Sequence, residues 1–140
     1  MNGLLVLDEA QEFLPSVRTT ACKQSLIRLS VQARKYGLGL VVATQNPKNL
    51  DYNAVSQFST HFYGKAAAPQ AIEVIRKAIE DRGGHASDIA NLAKGVFYFT
   101  SGGGWPTPVR VKCPMCLSSH PDQQTATEEQ ILARAAASNC

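Results

Sequence analysis

The sequence has 140 residues, 44% of them apolar, with 14 Lys and Arg against 11 Asp and Glu and a formal net charge of +3. That length suffices for one buried core, and the charge excludes an acidic tail protein while permitting a nucleic-acid partner without requiring one. No run of about 18 apolar residues occurs, which argues against a membrane-spanning helix, and no basic stretch followed by an apolar one opens the chain, so no secretory signal is expected.

Leu4 to Leu7 is a continuous apolar run, the pattern of a buried strand in a parallel sheet, and it ends in Asp8 and Glu9. Pro15 marks a loop. From about Thr20 to Tyr36 the residues Cys22, Leu26, Leu29, Ala33 and Tyr36 recur at helical spacing, and Gly37 ends that helix as a C′ glycine. Leu38 to Thr44 is a second buried strand, followed by a polar turn with Pro47 and a short helix near Tyr52 to Phe58. "THFYGKA" predicts a third strand, and Pro69 opens a helix running to about Glu80. Ser87 could cap a short helix ending at Gly95, Val96 to Thr100 is a fourth strand, "SGGGWPTP" a loop with a possible hairpin role, and "VRVK" a fifth strand. After Cys113 the composition turns polar. Thr125 to Ala137 predicts an Ala-rich terminal helix with Thr127 as its cap. Strands alternating with helices argue for an α/β fold, a parallel sheet flanked by helices.

Ligands of open α/β sheets bind at the carboxyl ends of strands. Asp8 and Glu9 stand at such an end, where one carboxylate can hold Mg²⁺ and the other can orient and deprotonate a water; the same pair also suits the N-terminus of a helix. Thr44 and Gln45 end the second strand and could reach the same crevice, Gln45 contacting a phosphate and a water together, or could simply start the turn at Asn46-Pro47. Between Phe13 and Leu50 there is no acid, while Arg18, Lys23, Arg28, Arg34, Lys35 and Lys48 lie there. A solvated helix face accounts for such a run; so does a surface that meets phosphates. Arg34, just before the second site strand, is expected near a subunit edge.

Three stretches, "LLVLDEAQEFLP", "QARKYGLGLVVATQNPKNLDYNAVSQFSTHFYGKA" and "LAKGVFYFTSGGG", together resemble the C-terminal half of a HerA/FtsK-type P-loop ATPase, up to about Lys112. The "SQFSTHFYGKA" continuation is closer to HerA-like helicases than to FtsK itself. The resemblance implies the C-terminal part of a RecA-like core over residues 1–112, with 113–140 as connector and C-terminal helix. It implies ATP with Mg²⁺ as cofactors, Asp8 and Glu9 as the Walker B pair, Thr44 beside the nucleotide and Gln45 as the polar sensor. Arg34 matches the arginine that some relatives insert into a neighbouring subunit's site. The implied activity is ATP hydrolysis driving translocation on double-stranded DNA in the cytoplasm, by a homo-oligomeric ring of six subunits that can work with a nuclease. The family's G-x-x-x-x-G-K-[ST] phosphate loop is absent from the 140 residues. It is expected upstream of residue 1, so that the chain alone is expected to be inactive. A non-catalytic remnant that binds DNA or a partner ATPase is the alternative, and a metal-dependent nuclease a third.

Cys113, Cys116 and His120 form C-x2-C-x3-H, three zinc-compatible side chains where a closed site needs four. With Cys140 the only cysteine downstream, free thiols in a surface turn are the preferred reading, as they are for Cys22. His61 and His85 show no ligand spacing.

Overall fold

The computed structural model describes residues 2–114 and 127–137. Strand β1 (Gly3–Leu7) pairs in parallel with β2 (Leu38–Val42), Leu7 opposite Val42. Helix α1 (Lys23–Gln32) and a 3₁₀ turn (Ala33–Tyr36) connect them, so the expected single helix tightens in its last turn. Gly37 then takes the left-handed conformation, φ 67°, that lets the chain leave the helix and enter β2. A short helix α2 (Tyr52–Val55) follows, capped by Asp51, whose side chain accepts from the Asn53 N–H.

The remaining strands form a second sheet. β3 (Thr60–Tyr63), β4 (Val96–Ser101) and β5 (Trp105–Lys112) lie in the order β3-β4-β5, all antiparallel. The parallel sheet is therefore confined to the first two strands. For β4 and β5 the reason is visible at their join: three glycines span it, and a parallel return needs a crossover of a dozen residues or more. Pro106 and Pro108 sit in β5, on the sheet edge, where the missing N–H groups are tolerated.

Helix α3 (Pro69–Glu80) runs where its proline predicted, and its Ala71, Ile75 and Ile79 face the sheet. They form the core with Ala66, Ala86, Ile89, Leu92 and Val96, Tyr63 and Tyr98 packing against it. On the opposite face of the sheet Phe62, Phe99 and Trp105 form a run of ring contacts, Phe62 to Phe99 at 4.8 Å and Phe99 to Trp105 at 5.8 Å.

A further expectation changes. The continuous apolar run of β1 reads as a buried strand, yet Leu4, Val6 and Val41 are 55%, 58% and 48% exposed. Their composition is that of strands covered on both faces, and the described residues supply too little cover. Helix α4 (Glu128–Ala137) begins on a reciprocal cap: the Gln130 N–H donates to Thr127 Oγ1, and the Thr127 N–H donates to Gln130 Oε1.

Candidate active site

The pairing of β1 with β2 brings their carboxyl ends to one level, and two further backbone bonds extend the contact. Ala43 N–H donates to Leu7 O and Ala10 N–H to Ala43 O, both at 2.9 Å. For Ala10 to fold back over the end of β2, the chain must reverse at Glu9. Glu9 does so in the left-handed region, φ 47° and ψ 48°, alone in this respect among the described non-glycine residues. That conformation costs an L-residue roughly 1–2 kcal/mol, and such strain persists where surrounding contacts over-determine it.

The contacts are specific. Gln11 Nε2 donates to Glu9 Oε2 at 2.7 Å, and Gln45 Nε2 donates to Glu9 Oε1. Thr44 Oγ1 donates to Gln11 Oε1 and accepts from the Asn46 N–H at 3.0 Å. Asp8 is exposed, and its Oδ1 accepts the Glu9 N–H at 2.9 Å. Four of the five sequence-predicted site residues, Asp8, Glu9, Thr44 and Gln45, thus meet in one cluster. The fifth does not join it. Arg34 precedes β2, and the cluster lies past its far end; five residues at roughly 3.3 Å each separate them by about 16 Å. Arg34 instead lines an open cleft of about 440 Å³ with Leu38, Leu40, Phe58 and Thr60.

Gln11 had no place in the sequence reading, and it bridges the two strand ends. The available signal was an amide two residues beyond the acid pair, of the same type as Gln45. Behind the cluster lies a second contact the sequence hid. Lys23 and Asp51 are buried and paired at 2.9 Å, and Lys23 Nζ also donates to Pro15 O at 2.7 Å. The Lys23 hydrogen bond holds the Asp51 carboxyl below its usual range, against the opposing effect of burial. The Asp51 N–H donates to Leu14 O and the Ser16 N–H to Asn49 O, so the loops leaving β1 and β2 are clamped together. This corrects the basic-surface reading in part: Lys23 is spent on Asp51, and Arg18 pairs with Glu12.

Of the possible zinc ligands, Cys113 is exposed and free, and Cys116, His120 and Cys140 lie outside the described residues. Cys22 is a free, half-buried thiol. His61 is partly buried; burial lowers its pKa, and its Nε2 lies 2.7 Å from Phe58 O. Among the described residues no group of three or more His, Cys, Asp or Glu side chains could hold a metal alone, and no helix is long and apolar enough to cross a membrane.

A parallel strand pair carrying acids at one carboxyl end and a hydroxyl and an amide at the next, within α/β layers, fits the resemblance to a region of the HerA/FtsK-type P-loop ATPases, and the comparisons with known proteins agree. The fold is shared with the genome packaging NTPase B204 of Sulfolobus turreted icosahedral virus 2. Its complex with ATP-gammaS aligns at TM-score 0.59 and 19% identity, over 81% of this chain and 52% of that one. Its complex with AMPPCP aligns at 0.59 and 21%, over 80% and 54%. The probable DNA double-strand break repair helicase HerA of Methanocaldococcus jannaschii is 31% identical over 93 residues, 66% of this chain and 18% of that protein. The HerA of Pyrococcus furiosus, described as a DNA double-strand break repair helicase, is 30% identical over 93 residues, 66% and 17%. The chain thus spans less than a fifth of these relatives. The family described as Zonular occludens toxin (Zot) matches residues 1–87, and the chain belongs to it.

Proposed function

We propose that this chain supplies the hydrolytic residues of an ATP-driven, HerA-like translocase or helicase acting on double-stranded DNA. One observation carries the reading: the Glu9 carboxylate, half-buried and held on both oxygens by amides that follow two neighbouring strand ends, stands next to the exposed Asp8. In this reading Glu9 orients and deprotonates the attacking water. Asp8 has one carboxylate oxygen uncommitted among the described residues. That fits Mg²⁺ held by a single carboxylate together with nucleotide phosphates. ATP and its Mg²⁺ supply the phosphoanhydride and neutralise its charge. Thr44 contacts the nucleotide, and Gln45 reads the state of its terminal phosphate. A phosphate loop from outside these 140 residues completes the site, with residues 1–112 as core and 113–140 as connector and terminal helix.

Arg34 precedes β2 while Glu9 meets the far end of that strand, and this supports a role for Arg34 across an interface; the ring we propose is one of six subunits, cytoplasmic, on double-stranded DNA, with a nuclease as a further partner. The test is Glu9→Gln in the complete protein. Removing a general base lowers turnover by about 10²–10⁴-fold, while ATP binding, followed by equilibrium titration, persists. Near-normal turnover sinks the assignment of Glu9. A wild-type protein that binds no ATP favours the non-catalytic alternative.

A further inference from the structure

We infer that Gln11 is a positioning residue for Glu9, the middle member of an oriented hydrogen-bond relay that ties the carboxylate to Thr44. The inference rests on the reading of Glu9 as the hydrolytic base. Each bond in the relay has its direction fixed by chemistry. A carboxylate only accepts, so the Gln11 side chain must turn its NH₂ toward Glu9. Its Oε1 is then presented to Thr44, whose hydroxyl must donate. The hydroxyl's lone pair in turn takes the Asn46 N–H. Donors therefore point one way, from Asn46 through Thr44 and Gln11 to Glu9 Oε2, and bonds aligned in this manner polarise one another.

The consequence is that the end of β2 reaches Glu9 by two routes. Gln45 bonds Oε1 directly, and Thr44 bonds Oε2 through Gln11. With both oxygens held, the carboxylate cannot rotate about its own axis without breaking a bond to one of them. Gln11 is half-buried on the 3₁₀ turn Ala10–Glu12, beside the fully buried Ala10, so its backbone is set by packing and its side chain has little freedom to leave. A shift of Thr44 against a bound nucleotide would pass along the same relay and re-aim Glu9.

Gln11→Met keeps the volume and removes both the donor and the acceptor. Gln11→His keeps one of each, on opposite sides of a neutral ring. In the complete protein, Gln11→Met is expected to lower kcat by roughly 10–100-fold, the scale seen when a partner that orients a functional ligand is removed. The KM for ATP and the thermal midpoint should be unchanged, and Gln11→His should recover most of kcat. An unchanged kcat in Gln11→Met, while Glu9→Gln is inactive, overturns this inference and leaves the reading of Glu9 standing. So does a raised KM at constant kcat, or equal loss in both variants, which would place the requirement in side-chain shape. If Glu9→Gln itself turns over normally, the reading of Glu9 fails and the inference falls with it.

Discussion

Lys23 and Asp51 show how one buried contact can hold a site it never touches. The pair fixes the loops that leave β1 and β2, and Asp51 also caps α2. Removing one partner of a buried pair strands the other charge, at a cost of about 3–5 kcal/mol. Asp51→Ala should therefore lower stability by that order, read as a drop in the urea midpoint. The pH dependence has a definite sign. The folded carboxyl is held below the ordinary value of 3.8, so its stabilisation is fully present above that value. It is lost as pH falls through the lower folded value. Urea midpoints followed into acid should decline less steeply in Asp51→Asn than in the wild type, and equal slopes would deny the pair this role. Neither partner was legible as such, because Lys23 looked like one more base in an acid-free run and its acid lies 28 positions further on.

At the scale of elements, the connection from α1 to β2 depends on one glycine. At Gly37 a Cβ would stand 3.0 Å from Asn2 Nδ2, in a left-handed conformation that alanine resists. Gly37→Ala should cost at least about 1 kcal/mol, and because Gly37 O accepts the Asn2 N–H, it should loosen the start of β1 as well. Amide hydrogen exchange in residues 2–5 rising above the wild type would show it. Helix α3 carries the core of the other sheet, and Ile79 is fully buried there. Ile79→Ala should cost about 2–5 kcal/mol, read calorimetrically, without altering the Glu9 cluster. These elements were readable from sequence to within a few residues, since Gly37, Pro69 and Thr127 each act on their own neighbours. What periodicity did not reveal was the antiparallel order of β3, β4 and β5. A short apolar run such as "VFYFT" has the same pattern in either kind of sheet.

For the whole molecule, the exposed faces of β1 and β2 are the main liability. An uncovered apolar strand pair invites association, so the 140-residue chain by itself should bind a hydrophobic dye and sediment as concentration-dependent aggregates. Val6→Lys should reduce both, and a monodisperse wild-type chain that binds no dye would contradict the expectation. The same scale tests Arg34. Subunits carrying Arg34→Ala and subunits carrying Glu9→Gln should each be inactive in the complete protein, and mixing them should restore part of the ATPase. Some interfaces then pair an intact Glu9 with an intact Arg34, whose guanidinium can contribute on the order of 10³–10⁵ in rate. If mixed rings assemble and nothing is restored, Arg34 acts within its own subunit or on DNA.

The sequence alone determined the strands that end in Asp8-Glu9 and Thr44-Gln45, the helix stop at Gly37, the start of α3 and the cap at Thr127. Each follows from residues a few positions apart, whose spacing and backbone preference decide the outcome. Tertiary structure alone decided that Gln45 reaches Glu9 across 36 positions, that Gln11 joins Thr44 to it, and that Lys23 closes on Asp51. These contacts exist because Leu7 pairs with Val42 and not with a neighbour. A slip of one residue would turn every side chain of β2 to the other face and carry Thr44 and Gln45 away from the acids. The clamp between the loops that leave β1 and β2 holds this register, and no local pattern encodes it.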